Sequence, residues 1–450
     1  MSINQTYLFK NTDQFLLDSY TGEGGFLYGA TNNATPQNYL IRHVSEENDE
    51  FSRRTAFSVY PNFCRKIIDT YIGYLWEVKP SRSNLKTGYQ DFVNNASGTG
   101  LSLDAVLEDY HKLALIMGTV FIIVDKSSIQ AISKADEQLP YLTSRFPCQL
   151  KSETKDRLGS WESVTFSETI NNEEQFRTFT KTDWIVSRDD KATDIISQGK
   201  HNLGVVPVVK LHVERPLNPM NSRSKSFYYD IAIINWDIFN KRSEMRQLER
   251  DQTFALLTIP TPTNESKESA SQLVIGSKNA LGYNPLNGGK PDFIAPPPTS
   301  IAAYRQDIID DVQMIYQLAN IEFVGGVQSS GTALAFQFRQ ANSRLSTIAN
   351  MCKDAELEIK RLVSFYLKEN NEGTVSYNNK FDLINLAQDL SDALDAVSLD
   401  MGQEFNAELK KRTARKILGN DTASDIVKKI DNEIDAQGDI YGDKVKSAGL

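Results

Sequence analysis

Residues 332–368 run for 37 positions without a glycine or a proline. Within them Leu334, Phe338, Ala341, Leu345, Ile348, Cys352, Ala355, Ile359, Leu362 and Tyr366 follow one another at steps of four and three. That spacing puts all ten on one stripe of a helix with a seven-residue repeat. At ~1.5 Å per residue the stretch makes a rod of roughly 55 Å, against a usual globular helix of ~11–12 residues. A stripe of this length must be covered, either by a second copy in a coiled coil or by the core of a large domain. Both coverings satisfy the pattern.

The remaining composition narrows the class. The chain has 450 residues, 40% of them hydrophobic and 10% aromatic, which is enough for a real core. Its net charge of −9 argues against a protein that grips nucleic acid by its phosphates, since that grip needs clustered Lys and Arg. Three widely spaced cysteines, Cys64, Cys148 and Cys352, do not form a disulfide framework and fit a reducing cytoplasm. The N-terminus lacks a basic region followed by an apolar core, so no signal peptide is expected. The longest apolar run, residues 113–124, includes Gly118 and Thr119 and falls short of the ~20 residues a membrane span needs. No membrane association is expected.

In chain order, residues 1–50 are polar and rich in Gly and Asn, with Gly22-Glu23-Gly24-Gly25 and acids at Glu46, Glu47, Asp49 and Glu50. They read as an exposed N-terminal arm. A helical pattern then runs from Phe51, is interrupted at Pro61, and continues through Ile67, Ile68, Tyr71, Ile72 and Leu75. Leu103, Val106, Leu107, Tyr110, Leu113 and Ala114 mark another helix, with Ser102 in the capping position. It feeds a β-branched run from Thr119 through Val124, which reads as a buried strand. Residues 140–213 read as β-rich, with strands at 161–170, 175–180, 184–187 and 205–213 and a hairpin turn at Asn171-Asn172-Glu173-Glu174. The first half is therefore α+β, helices followed by a mostly antiparallel sheet.

The third quarter alternates differently. A helix from about residue 226 places Phe227, Ile231, Ile234, Ile238, Met245 and Leu248 on one face, and its second half carries Lys241, Arg242, Glu244, Arg246, Glu249 and Arg250. A short insert, residues 253–298, offers strands at 254–259, 273–275 and 293–295 between prolines and Asn287-Gly288-Gly289. Another helix begins at Thr299 or Ser300 with Ile301, Ile308, Val312, Ile315 and Ala319 on one face. Two long helices around a small β-rich knob cannot bury their apolar faces alone, which implies packing against copies of the same chain. Residues 385–450 read as short helices at 386–397, 404–418 and 424–436, with a basic cluster at Lys410, Lys411, Arg412, Arg415 and Lys416 that suits a solvated face or a DNA or scaffold contact.

Signals of catalysis are missing. Gly289-Lys290 and Gly199-Lys200 have Asn284 and Asp194 where a P-loop needs its first glycine. His43, His111, His201 and His212 show no metal-ligand spacing to one another or to the cysteines. No Gly-x-Ser-x-Gly elbow is present. No enzyme, cofactor or metal is expected.

The order of these elements resembles the portal protein, or head-to-tail connector, of tailed double-stranded DNA bacteriophages. Four segments carry the resemblance: Ile72-Gly73-Tyr74-Leu75-Trp76 with Pro80; Gly204-Val205-Val206-Pro207-Val208-Val209; Phe227-Tyr228-Tyr229-Asp230-Ile231-Ala232-Ile233-Ile234-Asn235; and Ser329-Ser330-Gly331-Thr332-Ala333-Leu334. It covers roughly residues 50–380. By that resemblance the chain divides into an arm (1–50), an α+β wing (51–225), a stem helix (226–252), a clip (253–298), a return stem helix (299–321), a tunnel loop (322–331), a spine helix with wing return (332–384) and a crown-like helical region (385–450).

The resemblance implies a ring, expected to hold twelve copies, at one capsid vertex of a virion assembled in the bacterial cytoplasm. Double-stranded DNA would pass through it without sequence recognition. Terminase large subunit, head-completion or tail adaptor proteins, and the major capsid or scaffold protein would be partners. The uncharged loop Gly325, Gly326, Val327, Gln328, Ser329, Ser330 and Gly331 would face the DNA channel, or else simply join two helices. Asn264, Glu265, Ser266, Lys267 and Glu268 would be the clip's partner contact, or else an ordinary exposed loop. Lys241, Arg242, Glu244, Arg246, Glu249 and Arg250 would form ion pairs between neighbouring subunits. A coiled-coil adaptor without a DNA channel is the competing reading of the same long helix.

Overall fold

The computed structural model describes residues 12–26, 39–126, 139–218, 220–253, 256–260, 280–283, 289–294, 298–320, 331–370, 373–379 and 381, with 407, 408, 410, 411, 414 and 426–435 toward the C-terminus. The chain forms two compact units, residues 1–379 and 380–450. In the second unit residues 426–435 are helical, within the expected 424–436, and Asp435 pairs with Lys411 of the basic cluster at 2.5 Å. The helix expected at 386–397 lies outside the described residues.

The first unit is α+β and begins with a correction. Residues 12–26 and 39–41 are packed rather than an exposed arm, whereas residues 42–45 and 47–50 are exposed as expected. Helix α1 (Thr12–Thr21) and a following turn bury Phe15, Leu16, Phe26 and Tyr39 to 3% exposure or less. Phe26 stacks on Tyr60 with ring centres 3.9 Å apart and meets Phe239 at 5.4 Å. The Tyr39 hydroxyl donates to Asp18 at 2.8 Å, and its carbonyl accepts from the Trp236 indole at 2.7 Å. A few aromatics in a Gly- and Asn-rich stretch carry no periodicity, yet each buries a large area.

Helices α2 (Asn48–Phe57) and α3 (Phe63–Trp76) flank Pro61, as the pattern requires. Asn62 caps α3 by accepting from the Arg65 amide at 2.8 Å. Strand β1 (Ser81–Ser83), helix α4 (Thr87–Asn94) and helix α5 (Leu103–Met117) follow, α5 being capped by Ser102 as expected. Gly118 ends α5 at φ 82°, where a Cβ would stand 2.5 Å from the Ser224 carbonyl oxygen. Only glycine fits there.

On α5, His111 is 1% exposed, and neither ring nitrogen has a hydrogen-bond partner among the described residues. Burial, then the charge of Arg82, lowers its pKa to about 3. The folded protein therefore holds it neutral, while the unfolded chain takes up a proton as pH falls below ~6.5. Stability should be full above that value and decline by up to about 1.4 kcal/mol per pH unit down to about pH 3. His111→Leu is expected to remove this share of the slope, read from urea unfolding at pH 7 and pH 5. Equal slopes in the two proteins would show that His111 is not the group responsible.

Strand β2 (Thr119–Asp125) is buried along its length except at Asp125 and lies between β3 (Tyr141–Arg145) and β9 (Val208–His212), antiparallel to both. A second sheet is a five-stranded antiparallel meander of β4 (Leu150–Lys155), β5 (Trp161–Ile170), β6 (Glu173–Thr180), β7 (Asp183–Ser187) and β8 (Ile195–Lys200). The β5–β6 turn uses Asn171 and Asn172 at φ 52° and 66°, the left-handed pair a two-residue hairpin demands. One face of the meander closes over Phe121, Ile123, Val206 and Val208 with Trp161, Val164, Phe166 and Phe179.

The long helix is α8 (Gly331–Leu367), 37 residues, starting one residue before the expected position. Its stripe from Leu345 to Leu362 is buried: Leu345, Ile348, Cys352, Ala355, Ile359 and Leu362 are at most 5% exposed. The cover comes from the same chain, chiefly β9, with α4, α3, strand β13 (Thr374–Ser376) and β2. A coiled-coil partner is therefore not what fills this stripe. Strand β13 pairs antiparallel with β1, and beneath that pair lies a buried ionic cluster. Arg82 of β1 binds Glu356 of α8 in a two-pronged contact at 2.5 and 3.1 Å and Asp104 at 2.6 Å, while the Tyr377 hydroxyl donates to Glu356 at 2.6 Å.

Candidate functional site: the helical hairpin and its surface

Helix α6 (Tyr229–Thr253) and helix α7 (Pro298–Leu318) pack against each other. Between them in sequence lies a three-stranded sheet of β10 (Leu256–Pro260), β11 (Ala280–Tyr283) and β12 (Asp292–Ile294), with β10 in the middle. Strand β10 runs parallel to β11 and antiparallel to β12. The sequence pattern placed β10 and β12 within two residues and missed β11, whose Ala-Leu-Gly-Tyr is too short to alternate visibly. The strand expected at 273–275 and the tip residues Asn264, Glu265, Ser266, Lys267 and Glu268 lie outside the described residues. So do Gly325, Gly326, Val327, Gln328, Ser329 and Ser330, while Gly331 is the first residue of α8.

Five of the six stem charges have partners within the chain. Lys241 reaches Asp237 one turn earlier at 2.8 Å, and Asp307 and Asp311 of α7 at 2.7 and 2.8 Å. Burial opposes its charge, but the three carboxylates outweigh burial and raise its pKa above the usual lysine range. Glu244 accepts from the Tyr304 hydroxyl at 2.7 Å, and Glu249 pairs with Arg305 at 2.9 Å. Arg246 donates to the Phe57 carbonyl oxygen at 2.6 Å, and Arg250 lies over the Phe57 ring at 4.7 Å. Arg242 differs, its buried Nε making no hydrogen bond among the described residues. These contacts clamp the hairpin and seat α6 on α2. The acids that hold Lys241 were legible in part, because Asp307 and Asp311 are four residues apart and must share a helix face.

The outward face of α7 has a consistent chemistry. Ala302, Ala303, Gln306, Asp307, Ile309, Asp310, Met314, Gln317 and Leu318 are exposed, and the sole exposed cation of the helix, Arg305, is neutralised by Glu249. Beside the acids, Ile309, Met314 and Leu318 remain 42–49% exposed, and on β12 Phe293 and Ile294 reach 65% and 60%. Among the described residues no group of His, Cys, Asp and Glu is placed to hold a metal ion, and no helix is long and apolar enough to cross a membrane.

Together these elements define an α+β protein whose distinctive part is a clamped helical hairpin carrying a small sheet. No family model and no curated protein matches the chain. Among solved structures it is similar to a chain of the neck of an empty gene transfer agent (GTA) particle computed with C6 symmetry, at TM-score 0.43 and 11% identity, covering 82% of this chain and 96% of that one. A chain from the virion of a native GTA particle gives 0.41 and 11% over 77% and 88%, and one from the native neck computed with C12 symmetry gives 0.38 and 11% over 77% and 87%.

Proposed function

We propose that the chain is a portal subunit: copies form a ring at one capsid vertex, and double-stranded DNA enters and leaves through the central channel. The observation that carries this reading is the outward face of α7, which joins carboxylates, amides and bare apolar residues and leaves no cation unpaired. DNA is a dense polyanion, and each phosphate contact with Lys or Arg releases counterions and holds it in place. A conduit through which it must slide needs a wall without such contacts. The triple carboxylate grip on Lys241 removes the nearest α6 cation from the surface in the same way. In this reading the apolar residues Ile309, Met314 and Leu318 meet a neighbouring copy, Arg242 turns toward it, and the 325–331 loop borders the DNA. The clip, including residues 264–268, meets the packaging motor and then the head-completion or tail proteins; the capsid or scaffold protein meets the wing. The chain itself performs no catalysis, so the driving energy comes from the terminase.

Negative-stain electron microscopy of the purified full chain, with mass measured in solution, tests the proposal. Rings, expected to be twelvefold, with an opening that admits B-form DNA are the predicted result. A monomer or dimer that persists over a wide range of concentration and salt, and in the presence of capsid protein, would overturn it.

A further inference from the structure

Residues 213–228 lead from β9 into α6, and the fully buried apolar side chains of this connection, Val213 and Tyr228, stand at its two ends. Between them Leu217 and Met220 are 105% and 46% exposed. From Asn221 to Ser226 the chain alternates. Asn221, Arg223 and Lys225 are exposed, whereas Ser222 and Ser226 are buried and Ser224 is half-buried. Each inward serine binds a different element of the α+β body. Ser222 donates to the Glu153 carboxylate of β4, Ser224 to the Gly118 carbonyl oxygen at 2.6 Å, and Ser226 to the Leu115 carbonyl oxygen of α5 at 3.3 Å. The backbone of residues 224–226 lies directly against Gly118, in the space a Cβ would fill.

Counting protons fixes the middle of this attachment. The Ser224 hydroxyl proton goes to Gly118, so toward Thr119 Oγ1, 3.0 Å away, Ser224 Oγ acts as acceptor. That spends the single Thr119 hydroxyl proton. The 3.0 Å contact between Thr119 Oγ1 and His212 Nδ1 is then a hydrogen bond only with the imidazole proton on Nδ1. The Ser224 amide donates to the same Thr119 oxygen at 2.8 Å. One directed chain thus runs from His212 through Thr119 and Ser224 to Gly118, each bond polarising the next. Water can replace these bonds, and Met220, the one apolar side chain of residues 220–226, is already exposed. We infer that residues 220–226 are a strap that opens and closes as a unit of its own, unlatching the link between the β3–β2–β9 sheet and the helical hairpin while the cores on both sides stay folded. Opening breaks hydrogen bonds and uncovers little apolar surface, so it costs less than unfolding and responds weakly to urea. The inference does not depend on the portal reading.

The test is hydrogen–deuterium exchange of the full chain, read by mass spectrometry over peptic fragments covering residues 220–226 and strand β2, in a urea series below the unfolding transition. Protection is expected in 220–226, at least about tenfold weaker than in β2, and flat in urea where that of β2 falls. Ser224→Ala deletes both hydroxyl bonds of Ser224 and keeps its amide. It should weaken protection of 220–226 by roughly two- to tenfold, circular dichroism reporting the fold. Equal protection and equal urea dependence in the two wild-type fragments would mean that the strap opens only with the core, and would overturn the inference. Exchange of 220–226 at the rate of an unstructured peptide would overturn it too, because there would be no closed state. Protection unchanged by Ser224→Ala would remove the hydroxyl chain as the latch.

Discussion

Arg82→Met should destabilise the first unit by about 3–5 kcal/mol, the cost typical of breaking one side of a buried ion pair. Glu356 is 0% exposed, and Arg82 supplies both of its short ionic contacts. With Arg82 gone, the Tyr377 hydroxyl remains as donor, and one neutral hydrogen bond does not compensate a carboxylate held out of water. The loss should appear as a lower urea midpoint with an unchanged slope. The double variant Arg82→Met with Glu356→Met should recover most of it, because two apolar side chains leave no charge to desolvate. A single variant within about 1 kcal/mol of the wild type would mean the cluster is wetter than its burial indicates. Such a cluster joins β1, α5 and α8, so its loss also loosens the β1–β13 pair that lies over it.

A larger effect is expected in the stripe of α8. Leu345→Asp with Ile348→Asp should yield no soluble folded protein. Both side chains are at most 4% exposed, and each buried, unpaired carboxylate costs several kcal/mol. Total stability of a domain is only about 5–15 kcal/mol, so two such penalties exceed it. Aspartate at Leu357 or Phe365 is the informative control. These positions lie on the same helix but are 38% and 42% exposed, and the change there should be tolerated in soluble yield and far-ultraviolet circular dichroism. Folded protein from the double variant would show that the stripe is not the seam on which the unit closes.

Legibility along this chain followed sequence distance. The 37-residue helix, the Ser102 cap, the strand ending at Asp125 and the Asn171-Asn172 turn all appeared near where local pattern put them. Each is written in a few adjacent residues: a period, a capping hydroxyl, a β-branched run, two residues tolerant of positive φ. Strands β4 and β8 were missed because Leu-Lys-Ser-Glu-Thr-Lys and Ile-Ile-Ser-Gln-Gly-Lys are mostly polar, as edge strands of a half-solvated sheet are. Helix α1 was missed because its burial comes from single aromatics that find partners near Tyr60 and Phe239.

The stem charges show the same division. That Lys241 lies on a charged helix was plain from its neighbours. That it is spent on Asp307 and Asp311 followed only once α7 returned alongside α6. Likewise Arg82 meets Glu356, 274 positions away, and Lys210 is left facing Trp161.

Local order of elements and the apolar stripe of α8 were thus already present in the linear chain, because periodicity and capping act over one or two turns. What covers the stripe and which charges are neutralised emerged from the fold. Those outcomes depend on which distant segments share the core, and that choice is made by collective packing and desolvation rather than by any neighbouring residue.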